Sequence, residues 1–147
     1  MKKSKRLDPV IDLTKMKEED AAKVMAASRQ QLQLNETKLS DLMNYRDEYM
    51  NKFNEEGSAG MDIRKANEFR GFIHKLDEAI THQRTIVEQC KQEYERKFGL
   101  WKSRRSKHKA IGKVAERYRS DELQAENRRE QSESDEHSQN TRINPEK

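Results

Sequence analysis

The sequence predicts an all-α fold, a long antiparallel two-helix coiled-coil hairpin. Three observations lead there. The 147 residues are 31% hydrophobic and 39% charged, with a mean hydropathy of −1.31. That is too little apolar material for a layered α/β or sandwich core, but enough for one narrow stripe on each of two long helices. Apolar residues also recur at alternating steps of three and four along two long segments, which separates helix from disorder. Between those segments stands EEGSAG at 55–60, a turn signal with two glycines.

Residues 1–11 read as a basic, flexible N-terminus. Lys2, Lys3, Lys5 and Arg6 match the whole formal net charge of +4. Asp8-Pro9 then marks a boundary, because proline suits the first turn of a helix. Residues 12–128 are the expected coiled coil, with its turn at 55–60. On the first arm the seam runs Ala21, Met25, Ser28, Leu32, Asn35, Leu39, Leu42, Arg46, Tyr49 and Phe53. On the second it runs Ala66, Phe69, Ile73, Leu76, Ile80, Gln83, Val87, Cys90, Tyr94, Lys97 and Trp101, then Arg104, His108, Ile111, Ala115 and Tyr118. Isolated glycines at 71, 99 and 112 each cost about 1 kcal/mol against alanine and do not end a helix.

A short loop makes the two arms antiparallel neighbours. At 1.5 Å per residue they would be roughly 65 Å and 90 Å long, so the second is expected to outrun the first past about Trp101. Residues 129–147 read as a disordered polar tail, with Ile143 its one large apolar residue.

Several functions are excluded by what is absent. The longest apolar run, Val24 to Ala27, is far short of the ~20 residues of a spanning helix. The basic start has no apolar stretch behind it, unlike a signal peptide, and the chain reads as cytoplasmic without direct membrane insertion. Cys90 is the single cysteine, and His74, His82, His108 and His137 have no metal-ligand spacing among them. No phosphate loop or nucleophile motif is present, and a two-helix rod offers no water-excluded pocket. The expectation is a non-enzyme with no cofactor and no metal.

Four features remain, each with a plain structural alternative. Phe72 and Ala79 lie about 100° off the seam and with Leu76 form a second stripe, which is either a widened seam or a docking surface. Residues 96–119 carry ten basic side chains and one acidic, Glu116, between acidic regions. Lys102, Arg104, Arg105, Lys107, Lys109, Lys113, Arg117 and Arg119 are a solvated face, a site for an acidic protein, or a phosphate-binding face. No nucleic-acid motif accompanies them, so nucleic acid is not the expected partner. Tyr45, Glu48 and Tyr49 read as packing at the seam edge, and Cys90 as a small buried hydrophobe.

The runs YRDEYM (45–50), FIHKLDEAI (72–80), Trp101, AENR (125–128) and Asp135-Glu136, in that order and spacing, resemble the FliJ family. This is the small soluble coiled-coil component of the bacterial flagellar type III export apparatus, and the match runs without gaps from about residue 20 to 136. The resemblance implies a hairpin similar to the central stalk (gamma subunit) of rotary ATPases. It implies three partners: the hexameric export ATPase, whose ring assembly and activity it promotes; the cytoplasmic region of the export-gate membrane protein; and the flagellar export chaperones. It implies peripheral association with the inner-membrane export apparatus and a need for the protein in flagellum assembly and motility. The gate-contacting patch falls by similarity on Phe72, Leu76, Ala79 and Gln83, where the family pattern carries a histidine in place of Gln83. The ATPase is assigned to the basic end, Arg104, Arg105, Lys109, Lys113 and Arg117. An injectisome-type secretion stalk and a basic helical hairpin for nucleic acid are the alternatives.

Overall fold

The computed structural model describes residues 1–143. It has two helices, α1 (Lys3–Ala59) and α2 (Ile63–Ile143), and no strand among the described residues. Two compact units divide them: Asp20–Trp101, and Met1–Glu19 with the following part of α2 from Lys102.

In the unit 20–101 the helices join through Gly60, Met61 and Asp62. EEGSA stays helical, so the turn falls later than the expected 55–60. Gly60 is what stops α1. Its φ of 95° lies in the left-handed region, open to glycine at little cost, and its N–H donates to the Gly57 carbonyl at 3.2 Å. Asp62 starts α2: its Oδ1 accepts the Lys65 N–H at 2.7 Å, the N-cap arrangement.

Pairing is antiparallel. Along α1, Phe53, Arg46 and Asn35 meet Phe69, Asp77 and Gln83 of α2 in turn, so one number falls as the other rises. Every predicted seam residue of this unit is buried or half-buried. Within residues 20–101, Phe69, Leu76, Ile80 and Val87 are the most enclosed apolar side chains on α2, with Ala21 on α1. One polar layer interrupts them. The Gln83 amide donates to both the backbone carbonyl and Oδ1 of Asn35, each at 3.0 Å. Asn35 Nδ2 in turn donates to the Gln31 carbonyl at 2.8 Å and to Cys90 Sγ at 3.6 Å. A buried amide with its bonds made costs little and fixes register.

The unit of residues 1–19 and 102–143 departs from expectation. Helix α1 already begins at Lys3, and Pro9 lies inside it. α2 past Trp101 is therefore not unpaired. Ser4, Leu7, Ile11, Thr14 and Glu18 of α1 and Arg104, His108, Ile111, Ala115, Tyr118 and Glu122 of α2 are the buried or half-buried positions at seam spacing. Polar contacts hold much of this pairing. Thr14 Oγ1 is 2.9 Å from His108 Nδ1, Lys3 Nζ lies over the Tyr118 ring at 5.6 Å, and Asp8 is 3.9 Å from Arg119. Ser4 bonds to Glu122 through both its N–H and its hydroxyl. Proline near a helix start loses one backbone bond, a cost these contacts offset.

α2 also continues beyond Arg128, where the sequence predicts fraying, although residues 127–142 are all exposed. Their contacts are local, such as Gln131 Nε2 to Asp135 Oδ1 at 3.2 Å. No glycine or proline stands between Arg128 and Ile143 to break the helix, although Ser132, Ser134, Asp135, Ser138, Asn140 and Thr141 are weak helix formers. The part of the expected tail at 144–147 lies outside the described residues.

Candidate functional site

Two surfaces hold the residues singled out by the sequence. The first is in the unit 20–101, beside its aromatic cluster. Tyr49 touches Phe69 and Phe72, with ring centroids 4.9 and 4.6 Å apart, and Phe53 packs on Phe69 at 5.4 Å. Tyr45 meets Phe72 edge-on at 6.0 Å. These are ordinary separations for attractive aromatic pairs.

Phe72 is therefore half-buried, seated between two tyrosines of α1. Ala79 is also half-buried. Leu76 and Gln83, by contrast, are 7% and 8% exposed and belong to the helix–helix seam. The four positions named from the sequence thus lie in two layers, Phe72 and Ala79 at the surface and Leu76 and Gln83 beneath. Tyr45, 48% exposed, adds apolar surface next to Phe72. A shallow groove bounded by Lys38, Asp41, Leu42, Tyr45 and Gln83 runs alongside.

The α1 contribution to this surface was only partly legible in the sequence. Lys38 and Tyr45 each stand one residue before a seam residue, the same flanking position as Phe72 and Ala79 on α2. In an antiparallel pair equivalent flanks meet, and that was the available signal.

Across the seam, Arg46 pairs with Asp77. Its guanidinium is held above its ordinary value, chiefly by the hydrogen bond to Asp77. At the hairpin, Lys65 Nζ is 3.0 Å from Glu56, and that pairing raises the Lys65 ammonium. Farther along α2, Glu93 accepts from Arg96 Nη2 at 2.7 Å, which lowers its carboxyl. These groups are solvated, so the shifts report local pairing more than stability.

The second surface is the basic stretch of α2 in the other unit. Arg105, Lys109, Lys113 and Arg117 are exposed at successive steps of four, one slowly winding ridge. Arg104 is half-buried on the seam. The same unit brings up the α1 segment that carries Lys15 and Lys17. Among the described residues, no group of three or more His, Cys, Asp or Glu side chains is placed to hold a metal ion, and no helix is long and apolar enough to cross a membrane. Both surfaces are convex or shallow. Their chemistry suits macromolecular contact.

The family profile described as "Flagellar FliJ protein" matches residues 2–147. The chain is 32% identical over 128 residues to the flagellar FliJ protein of Escherichia coli (strain K12), covering 87% of each. It is 27% identical over 133 residues to that of Salmonella typhi, covering 90% of each. Among solved structures, a YscO homolog of Chlamydia trachomatis matches with a TM-score of 0.57 at 22% identity, covering 93% of both chains, a likeness of fold. The two long antiparallel helices and the match along nearly all their length make the chain a member of the FliJ family of the flagellar export apparatus.

Proposed function

We propose that the protein is a non-catalytic stalk of the flagellar type III export machinery. In this reading it binds the hexameric export ATPase, promotes assembly of the ring and raises its turnover, contacts the cytoplasmic region of the export-gate membrane protein, and escorts empty export chaperones. It works in the cytoplasm at the inner-membrane export apparatus, without a cofactor, and flagellum assembly and motility depend on it. The observation that carries this reading is family membership along residues 2–147, on a two-helix hairpin.

The geometry supports a division of labour. The gate surface is Phe72 and Ala79, braced from below by Leu76 and Gln83 and extended by Tyr45. Aromatic anchors ringed by charge are what binding hot spots require. The ATPase surface is the ridge Arg105, Lys109, Lys113 and Arg117 with Arg104. A cationic ridge speeds docking on an acidic wall and makes it salt-dependent. The flagellar relatives favour this setting over an injectisome, since the YscO likeness is one of fold.

ATP turnover of the cognate export ATPase, measured with and without stoichiometric protein, tests the reading. A clear rise with ring-sized species in gel filtration is expected. Unchanged turnover and no complex would remove the ATPase role.

A further inference from the structure

Within residues 20–101, one long side of the hairpin carries more apolar surface than the pairing of its helices uses. On α2, Phe72, Ala79, Ile86, Glu93 and Leu100 recur at steps of seven beside the seam. On α1, Val24, Gln31, Lys38, Tyr45 and Lys52 do the same, and the contact of Tyr45 with Phe72 sets both rows on one side. Two shallow grooves follow each other there, one along Leu42, Tyr45 and Gln83, the other along Val24, Ala27, Gln31 and Cys90. Phe72, Ala79 and Ile86 are half-buried, and Val24, Tyr45 and Leu100 are exposed. The opposite side of α2 shows Arg70, Asp77, Arg84 and Lys91 at the matching positions.

A further row flanks each of these. On α1 it reads Asp20, Ala27, Leu34, Asp41, Glu48 and Glu55, with four acids and no base, and Leu34 is 50% exposed. On α2 it reads Glu68, Lys75, His82, Gln89 and Arg96. Its one acid, Glu68, is 3.7 Å from Arg64, and Arg96 is held by Glu93 at 2.7 Å. One rim is therefore acidic, and the other offers Lys75 and His82.

We infer that this side is the contact between two copies of the chain, in a parallel dimer whose twofold axis runs along the hairpin. That operation lays α1 of each copy over α2 of the other, so each acidic row meets the row of Lys75 and His82. Tyr45 lies level with Phe72, and Asn35 with Gln83. Lys75 therefore falls between the levels of Glu48 and Asp41 of the other copy, and Glu68 faces Lys52. The apolar rows close in the middle, where the long stem of Lys38 carries its charge to the rim. An antiparallel dimer stacks acidic row on acidic row, a like-charge contact that costs binding. At 1.5 Å per residue the strip from Phe72 to Leu100 is about 42 Å long. Two helices each about 10 Å wide then give roughly 800 Å² per copy, the size of a standard interface. The candidate gate surface lies inside this contact. On the proposed function a second copy and the gate exclude one another, but the dimer itself does not rest on that reading.

Sedimentation equilibrium of the full chain, over a roughly hundredfold range of concentration, tests the inference. A dimer fraction that rises with concentration is expected. Gln31→Lys with Leu34→Lys should weaken the dimer by about 100-fold or more, with the thermal melt of the dilute chain unchanged. Lys75→Glu should weaken it about tenfold, and adding Glu48→Lys should restore it. A spin label on a cysteine placed at Ser58, in a Cys90→Ser background, should report a distance under about 40 Å, since the twofold sets the two turns side by side. Antiparallel copies hold those labels roughly 80 Å apart. Stimulation of the export ATPase by the dilute chain, measured on the same variants, keeps failure of the stalk role separate. A monomer across the whole range overturns the inference. So does a dimer unmoved by Gln31→Lys with Leu34→Lys, or a label distance of the antiparallel kind. Capture of another protein on this face by a chain that stays monomeric overturns it as well.

Discussion

Glu122 of α2 caps the start of α1 by accepting two bonds from Ser4. Its Oε1 takes the backbone N–H at 3.1 Å and its Oε2 the hydroxyl at 2.7 Å, across 118 residues of sequence. α1 has no acidic side chain in its own first turn. Glu122 supplies from the neighbouring helix the negative charge that a helix N-terminus favours. The two hydrogen bonds hold its carboxyl below the ordinary value. Glu122→Gln should therefore fray the first turns of α1, seen as faster hydrogen exchange at amides near Ser4, with exchange in residues 20–101 unchanged.

The same contact sets a pH response. A carboxyl whose folded pKa is depressed adds stability that is complete above its unfolded pKa, near 4.3, and lost as pH falls through the lower folded value. Acidification below about pH 4 should loosen the segment of α1 before Thr14 first. Glu122→Gln should remove that acid-dependent step. An acid step of equal size in the variant would assign it to other carboxylates.

Core position and surface position separate Leu76 from Phe72. Leu76→Ala removes a seam side chain and should cost about 2–3 kcal/mol, read as a lower midpoint in thermal or urea unfolding. Phe72→Ala removes a half-buried ring held by Tyr45 and Tyr49, at a smaller cost of about 1–2 kcal/mol. Under the proposed function, Phe72→Ala weakens gate binding at full helicity. Loss of helix by circular dichroism in that variant would make Phe72 a core residue instead.

The polar layer trades stability for register. Gln83→Leu combined with Asn35→Leu should raise the unfolding midpoint, since a buried amide pair replaced by packed apolar groups is often neutral or stabilising. Asn35→Ala alone should cost about 1 kcal/mol, because Gln83 keeps the backbone carbonyl as one acceptor. A cross-linking pattern that shifts in the double variant would reveal the lost register.

Pro9 is an unfavourable residue in its place. Pro9→Ala restores a backbone donor inside α1 and should stabilise the segment by about 1–3 kcal/mol, since proline costs up to that much in a helix interior. Deleting 127–147 should leave the unfolding free energy within about 0.5 kcal/mol of the full chain, because residues 127–142 are all exposed.

The seven-residue spacing determined the fold class by itself. A residue pattern that buries one stripe admits few partners other than a second stripe, and glycine and aspartate beside the turn made the hairpin. The seam from Ala21 to Tyr118 was legible for that reason, residue by residue. The pairing of Lys3–Glu19 with the basic part of α2 was not. Its α1 side includes Ser4, Thr14 and Glu18, which read as solvent positions, and only the structure sets Ser4 against Glu122 and Thr14 against His108. Leu7 and Ile11 at a step of four were the only apolar trace. Pro9 pointed to a boundary because propensity is local, whereas the bonds that override it come from a residue far along the chain. The candidate gate patch divides in the same way. Sequence spacing put Phe72, Leu76, Ala79 and Gln83 on one stripe, but only the neighbouring helix decided which of them face solvent. Asn35 draws Gln83 inward, while Tyr45 and Tyr49 leave the Phe72 ring at the surface. Periodicity states which side of a helix is apolar. How much of that side stays open depends on the size and reach of the side chains placed opposite, and those are contacts that only tertiary structure makes.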